Sequence, residues 1–325
     1  MMRGQRSAKF AEYTATYAIL KRLGLHDTVL IEKRDASVGY GVFVKDSCDA
    51  GTPLLVVPSR RACAATTLER LGANMRFLQC MEASRLEALD GGVVSRLLGC
   101  ATVQWATLAW RLAIEHQRSV SPWWGWLNVL PGPEAFKTME EECERLCRLH
   151  HAALLPYLMD ARSGIEREVK AVYDMLSERN VSPSPTYFRG AVNVVLSRAQ
   201  HLPACWTNAI EDPIELGILP FIDLINGHDG VERKRNAAVE VAFAVEELPA
   251  WYRAWFIQES EPRGIDGEKE LHRLLEEHFF ALVVLERALT ASEEVILQYE
   301  LQPWATGTLA PEEGLLLGRL LRYFF

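Results

Sequence analysis

Two stretches patterned for β-structure, 28–60 and 215–299, stand on either side of residues 66–200, whose apolar positions recur at helical spacing. A chain written this way has few ways to bury its strands. Short strands need neighbours, so the two β stretches must reunite in one sheet system around a helical insert. Closing a loop of about 130 residues costs only a term logarithmic in its length, so the separation is no obstacle. The expected fold class is α+β.

Local patterns fill in this outline. Thr28-Val29-Leu30-Ile31-Glu32 is strand-like, and Val38 to Val44 alternates around Gly39 and Gly41. Asp49-Ala50-Gly51-Thr52-Pro53 is a turn before a short buried strand, Leu54 to Pro58. Helical periods follow over Thr102–His116, Lys137–Leu155 with Pro156 as its stop or kink, Gly164–Glu178, and Tyr187–Gln200 after the boundary Pro183-Ser184-Pro185. Residues 215–230 run from a strand into a turn. The β pattern returns over 236–246 and 279–299, first with Val239, Val241 and Phe243, then with Val295, Leu297 and Tyr299. Between them, 247–278 is polar and charged and reads as an inserted, partly helical arm. Further helices are expected over 7–24, where Phe10, Tyr13, Tyr17, Leu20 and Leu23 keep helical spacing, and over 311–323.

Composition narrows the function classes. The 325 residues carry a formal net charge of −8, with 49% hydrophobic and 24% charged residues. That excludes a disordered chain, a collagen-like chain and a basic nucleic-acid coat, and no direct nucleic-acid partner is expected. The longest apolar run, Phe279 to Leu285, ends at Glu286, far short of the roughly 20 residues of a membrane span. No membrane partner is expected. Met1 to Phe10 lacks the apolar core of a signal peptide. Arg3, Arg6 and Lys9 before the first acid suit either a mitochondrial or plastid presequence or the basic first turn of a helix. The cysteines, Cys48, Cys63, Cys80, Cys100, Cys143, Cys147 and Cys205, are odd in number and scattered, which fits a reducing intracellular compartment, cytoplasmic or mitochondrial. Cys143, Cys147, His150 and His151 could share a helix face, but no C-x-x-C pair supports them and no metal is expected.

Three features of the β stretches bear on chemistry. Gly39-Tyr40-Gly41 sits in a hairpin, where glycine lets backbone approach a ligand; no helix follows it, so it is no nucleotide fingerprint. Asp223-Leu224-Ile225-Asn226 ends an apolar strand, and an asparagine there offers a donor and an acceptor, or simply turns the chain. Val295-Ile296-Leu297-Gln298-Tyr299 puts a phenol at the end of a buried strand, where it needs a hydrogen-bond partner.

Taken together and in order, these features resemble a SET-domain methyltransferase, of the branch with a long helical insert typified by Rubisco large-subunit lysine methyltransferase and the actin-histidine methyltransferase. Five phrases carry the likeness over about residues 28–325. Residues 38–60 are similar to the family's opening G-x-G hairpin, and 105–132 to its insert helix and the following "W-x-x-Y-L-x-x-L-P" phrase. Residues 191–200 resemble the "S-R-A-F" helix, 216–230 the "D-x-x-N-H-S" phrase and 289–300 the "G-E-Q-V-x-x-x-Y" phrase.

The resemblance implies a SET-domain β-fold of small sheets with pseudoknot-like C-terminal threading and a long helical insert. It divides the chain into an N-terminal helix (1–27), a first β segment (28–65) and an insert (66–200) ending in the Ser197-Arg198-Ala199 helix. A second β segment (201–305) carrying the polar arm 247–278 follows, then a short C-terminal helix (306–325), with no C-terminal substrate-docking domain. It implies S-adenosylmethionine as cofactor and a protein as substrate or partner. Gly39, Tyr40 and Gly41 are expected along the cofactor through backbone groups, Arg198 at its carboxylate, Ser197 on the same wall, and Asn226 and His228 beside it. Phe324 is expected to flank the adenine. Tyr299 is the expected catalytic residue, closing the channel where methyl donor and substrate nitrogen meet.

The departures from the pattern leave two functions open. Asn226 is followed by Gly227 and only then by His228, the "S-R-A-F" phrase ends in Gln200, and the "Y-G-F" ending reads Tyr323-Phe324-Phe325. One reading is an active methyltransferase acting on a lysine, or alternatively a histidine, of a protein. The other is a SET-fold protein with reduced or lost catalysis, serving as a subunit or assembly factor of a larger complex, organellar or otherwise. Trp123-Trp124-Gly125-Trp126 looks exposed and suits a partner surface under either reading.

Overall fold

In the computed structural model, the described residues are 24–35, 39–58, 63–64, 83–117, 124–127, 130, 132–178, 182–202, 215–227, 235–277, 279–297 and 309–323. In chain order the strands are β1 (Val29–Asp35), β2 (Gly39–Val44), β3 (Pro53–Pro58), β4 (Cys63–Ala64), β5 (Gln200–Leu202), β6 (Glu215–Ile218), β7 (Asn226–Gly227), β8 (Ala237–Ala242), β9 (Phe280–Leu285) and β10 (Ile296–Leu297). The helices are α1 (Ala83–Glu87), α2 (Val93–Leu98), α3 (Thr102–Gln117), α4 (Trp124–Leu127), α5 (Pro133–His150), α6 (Leu155–Ser177), α7 (Pro185–Arg198), α8 (Ala250–Ser260), α9 (Gly267–Glu277) and α10 (Pro311–Tyr323). The helix expected over 7–24 lies outside the described residues but for its last position. Among the described residues, no helix is long and apolar enough to cross a membrane.

The chain forms two compact units. The first gathers Met1–Ala62, Pro203–Pro213 and Leu219–Tyr299. Its main sheet has the order β3-β9-β8, antiparallel throughout, so a strand from the first β stretch pairs with one from the second. β1 and β2 form a separate antiparallel pair, with a register shift between Glu32 and Asp35. A core of Val56, Phe280 and Leu282 from the sheet is completed by Tyr252 and Phe256 of α8 and Leu271 and Leu274 of α9.

That core corrects the reading of 247–278 as a polar arm. α8, largely apolar, buries Tyr252 and Phe256 at i and i+4, and in α9 a stripe at i and i+3 stands amid charged residues. Averaged along the sequence the stripe vanishes, but on the helix it is continuous and buried. Gly24 lies under the same cluster: its φ is +91°, and a Cβ there would fall 2.5 Å from Tyr252 Cε2.

The second unit gathers Cys63–Leu202, Ile214–Ile218 and Glu300–Phe325. Its strands form a small antiparallel sheet, β4-β6-β5. α3 packs on α7, with Trp105 fully buried and its indole Nε1 donating to Ser95 Oγ at 3.1 Å. Trp110 meets Phe188 edge-on at 5.6 Å. Arg189 of α7 bridges Glu140 of α5 (3.2 Å) and Glu166 of α6 (2.5 Å), which fixes three helices at one point.

Several element ends differ from expectation, each for a local reason. Pro156 does not stop a helix; it sits in the first turn of α6, where its missing N–H is no loss. α5 has already ended at His150. α7 starts at Pro185 with Ser184 as its cap, the Tyr187 amide donating to Ser184 Oγ at 3.3 Å. Gln200 leaves that helix to begin β5. Trp126 is 3% exposed, so this part of the tryptophan run is core and not a partner surface. Cys143 and Cys147 are buried whereas His150 and His151 are exposed, so these four side chains diverge.

Candidate functional site

In the first unit, three segments that are far apart in sequence come together. Residues 293–295 run antiparallel to β2, with an isolated bridge between Phe43 and Glu294. The Val44 amide donates to the Glu293 carbonyl at 2.9 Å, the Ser292 amide to the Val44 carbonyl at 2.7 Å, and the Val295 amide to the Val42 carbonyl at 2.7 Å. Directly beyond, β10 pairs in parallel with β7, Ile296 opposite Asn226 and Leu297 opposite Gly227. A 3₁₀ turn, Ile222–Leu224, leads into β7 and lies against β2.

The sequence gives reasons for this geometry. Phe221 has φ +80° before that turn, and its amide donates to Asp223 Oδ1 at 2.6 Å, so Asp223 holds the bend that presents Asn226. On the other side, Glu293 closes the turn after β9. Its carboxylate accepts from the Thr290 amide (2.6 Å), the Thr290 hydroxyl (2.9 Å) and the Arg287 guanidinium (3.2 Å). The Thr290 bonds, more than the arginine, hold the Glu293 carboxyl below the ordinary value of 4.5.

Asn236 is the residue that sequence reasoning missed. It is 1% exposed, at the head of β8. Its side-chain amide donates to the Glu294 carbonyl and its side-chain oxygen accepts from the Ile296 amide, both at 2.7 Å. Its own backbone donates to the Ile296 carbonyl at 3.1 Å and accepts from the Glu286 amide at 2.9 Å. In sequence it looks like one more turn residue before a strand, and nothing local marks it.

The expected site residues fall as follows. Gly39, Tyr40 and Gly41 form the start of β2, where the β1–β2 register is interrupted, and Gly41 is buried. Asn226 opens β7, alongside the segment that also flanks β2. Those four positions are thus gathered in one unit. Ser197 and Arg198 belong to the other unit, at the C-terminus of α7, both half-buried. The Ser197 hydroxyl donates to the Asn193 carbonyl at 2.8 Å. Arg322 of α10 caps the same helix end, its Nε donating to the Leu196 carbonyl at 3.0 Å and its Nη2 to the Ala199 carbonyl at 2.7 Å. Tyr299, His228 and Phe324 lie outside the described residues. Among the described residues, no group of three or more His, Cys, Asp or Glu side chains could hold a metal ion.

No protein-family model and no curated protein matches the chain. Solved structures do. The SET domain of LSMT bound to lysine and AdoHcy is 17% identical, with a TM-score of 0.50 over 97% of this chain and 57% of that one. Rubisco LSMT bound to AdoMet is 16% identical, with a TM-score of 0.46 over 94% of this chain and 55% of that one. The chain therefore spans a little over half the length of the proteins it resembles. The likeness to the first of these, over nearly the whole of this chain, shows that the chain has the SET-domain fold.

Proposed function

We propose that this chain is an S-adenosylmethionine-dependent protein methyltransferase acting on a lysine side chain, with histidine as the alternative acceptor. The observation that carries the reading is the gathering of the glycine strand β2, the Asn226 strand β7 and the run-up to Tyr299 within a fold like that of a SET domain solved with lysine and AdoHcy.

The residues present fit such a cofactor. Gly41 is buried and brings no side chain, and the neighbouring ladder is interrupted, so backbone there can face a ligand. A guanidinium such as that of Arg198 matches a carboxylate with a planar fork. When bound, S-adenosylmethionine supplies a methyl group on a positive sulfonium. The chain's residues position and desolvate. Within the first unit, Gly39, Tyr40, Gly41 and Asn226 would take the body of the cofactor, with His228 beside it. The acceptor amine must be neutral to attack. Burial beside apolar side chains such as Ile225, Ile296 and Leu297 disfavours the ammonium form and lets its proton leave to water. The Tyr299 hydroxyl orients the amine toward the methyl group.

A second reading, a SET-fold protein that has lost catalysis and serves in a larger complex, draws support from Gly227. Either it replaces the family's histidine or it is inserted before His228, and it is paired with Leu297 in β7–β10. Calorimetric titration with S-adenosylmethionine separates the two. Binding in the micromolar range is expected, and no heat at high micromolar ligand overturns the enzyme reading. With labelled cofactor and cell-lysate protein as acceptor, Tyr299→Phe should lower the methyl-transfer rate about a hundredfold, the usual cost of misplacing reacting groups. An unchanged rate removes Tyr299 from its assigned role.

A further inference from the structure

We propose that Asn236 is a positioning residue that sets the register of the segment leading to Tyr299. The strand 293–297 has two edges. One is held by β2, through the Glu293 carbonyl and the Val295 amide. Asn236 bonds the other, at the Glu294 carbonyl, the Ile296 amide and the Ile296 carbonyl. The side-chain amide of Asn236 thus stands in for a peptide unit of a neighbouring strand, offering one donor and one acceptor at the spacing of a ladder. Its backbone carbonyl, accepting from Glu286, ties the same point to the end of β9.

The consequence lies three residues further along. Successive side chains of a strand point to opposite faces, so a one-residue slip turns every side chain over. A slip at Ile296 would turn over the side chains of Ile296 and Leu297 and shift the chain that leads to Tyr299. β10 and β7 are too short to prevent it, because each contributes two residues. A three-point clamp at Glu294 and Ile296 adds to the β2 bonds in resisting it, since a one-residue slip leaves buried polar groups of Asn236 unpaired. Ionised aspartate has no donor for the Glu294 carbonyl, glutamine is a methylene too long, and alanine leaves all the side-chain contacts unmade.

Asn236's hold on the backbone stands on geometry; its effect on the reaction rests on the methyltransferase reading. The test therefore has two arms, on the full chain with Asn236→Asp and Asn236→Ala. In the first, amide hydrogen exchange is followed at Ile296. Protection should fall at least tenfold in both variants while the β9 amides keep theirs, and unaltered Ile296 protection overturns the clamp. In the second, S-adenosylhomocysteine and then free L-lysine are titrated calorimetrically. The lysine dissociation constant should rise about tenfold or more in Asn236→Asp at pH 8, with that of S-adenosylhomocysteine changed less than about threefold, as misplacement of one group predicts. Equal loss of both ligands indicates general damage and overturns the positioning role.

Lowering the pH supplies a rescue. A neutral aspartic acid is nearly isosteric with asparagine, and its O–H can donate to the Glu294 carbonyl, so the variant should approach wild type as its acid protonates. The charged neighbours, the Arg235–Glu286 pair at 2.8 Å and the side chains of Glu293 and Glu294, are common to both proteins, so each pH is compared with wild type. A deficit that persists at low pH counts against the clamp. If Asn236→Ala fails to fold, Asn236→Asp decides. If wild type binds neither ligand, the methyltransferase reading falls while hydrogen exchange still decides the clamp.

Discussion

Gly24 shows how much one position can be asked to do. Its carbonyl accepts from the Val56 amide at 2.9 Å, its φ of +91° lies in the left-handed region, and Tyr252 closes over it. Alanine there would meet Tyr252 at 2.5 Å and the Val56 carbonyl at 2.9 Å, and neither can retreat, because Tyr252 is buried among Phe256, Phe280 and Val56. Gly24→Ala should therefore lower unfolding stability by about 2–4 kcal/mol, combining left-handed strain with overpacking. A shifted urea midpoint at unchanged slope checks this. Asn236 belongs at the same scale. Both residues look like ordinary turn residues in the sequence, and both are decided by what lies across from them: Tyr252 is far along the chain from Gly24, and the partners of the Asn236 side chain are 58 and 60 residues away. The role of Asn236 was not legible, because it is written in its partners.

At the scale of elements, helix ends carry much of the specification. α2 begins after Gly92, which has no side chain to cap it; the Glu168 carboxylate of α6 supplies the cap, accepting from the Val94 amide at 3.0 Å. Gly92 has no side chain because a Cβ there would lie 2.5 Å from that carboxylate. Burial, only partly offset by the backbone donors, pushes the Glu168 carboxyl above its ordinary 4.5. The native state then binds the proton more tightly than the unfolded chain. Its contribution is full below 4.5 and declines as pH rises through the elevated folded value. Glu168→Gln keeps an acceptor for the Val94 amide and removes the buried charge, so it should equal or exceed wild type in stability at pH 8. Glu168→Ala removes the acceptor and should lose about 1–3 kcal/mol. Thermal melts of both variants across pH 5–8 check the pair, and a Gln variant as weak as the Ala variant rules the account out. Element existence was plain from periodicity at α3, β9 and α10. Element ends were less so: Pro156 reads as a stop or kink, whereas it lies in the first turn of α6.

At the scale of the molecule, each compact unit is assembled from three stretches of chain. The helical unit takes β6 from one of them, between β4 and β5, and α10 from another, whose Arg322 caps α7. A fragment of residues 63–202 should therefore fail to unfold cooperatively, since it lacks the central strand of its sheet and the cap of one of its principal helices. A sharp circular-dichroism melt of that fragment at the full chain's temperature contradicts this.

The order of β stretch, helical insert and β stretch, the α+β class and the buried run of β9 follow from the sequence by itself, because they depend on which face of each element is apolar, and periodicity records that directly. Three things were decided only in three dimensions. Residues 247–278 close a core, the segment 293–297 pairs first with β2 and then with β7, and a buried asparagine holds that segment's register. These depend on pairing between residues far apart in the chain. A hydrogen bond to a distant carbonyl imposes no local pattern on the residues that make it, so the sequence holds the partners without naming the match.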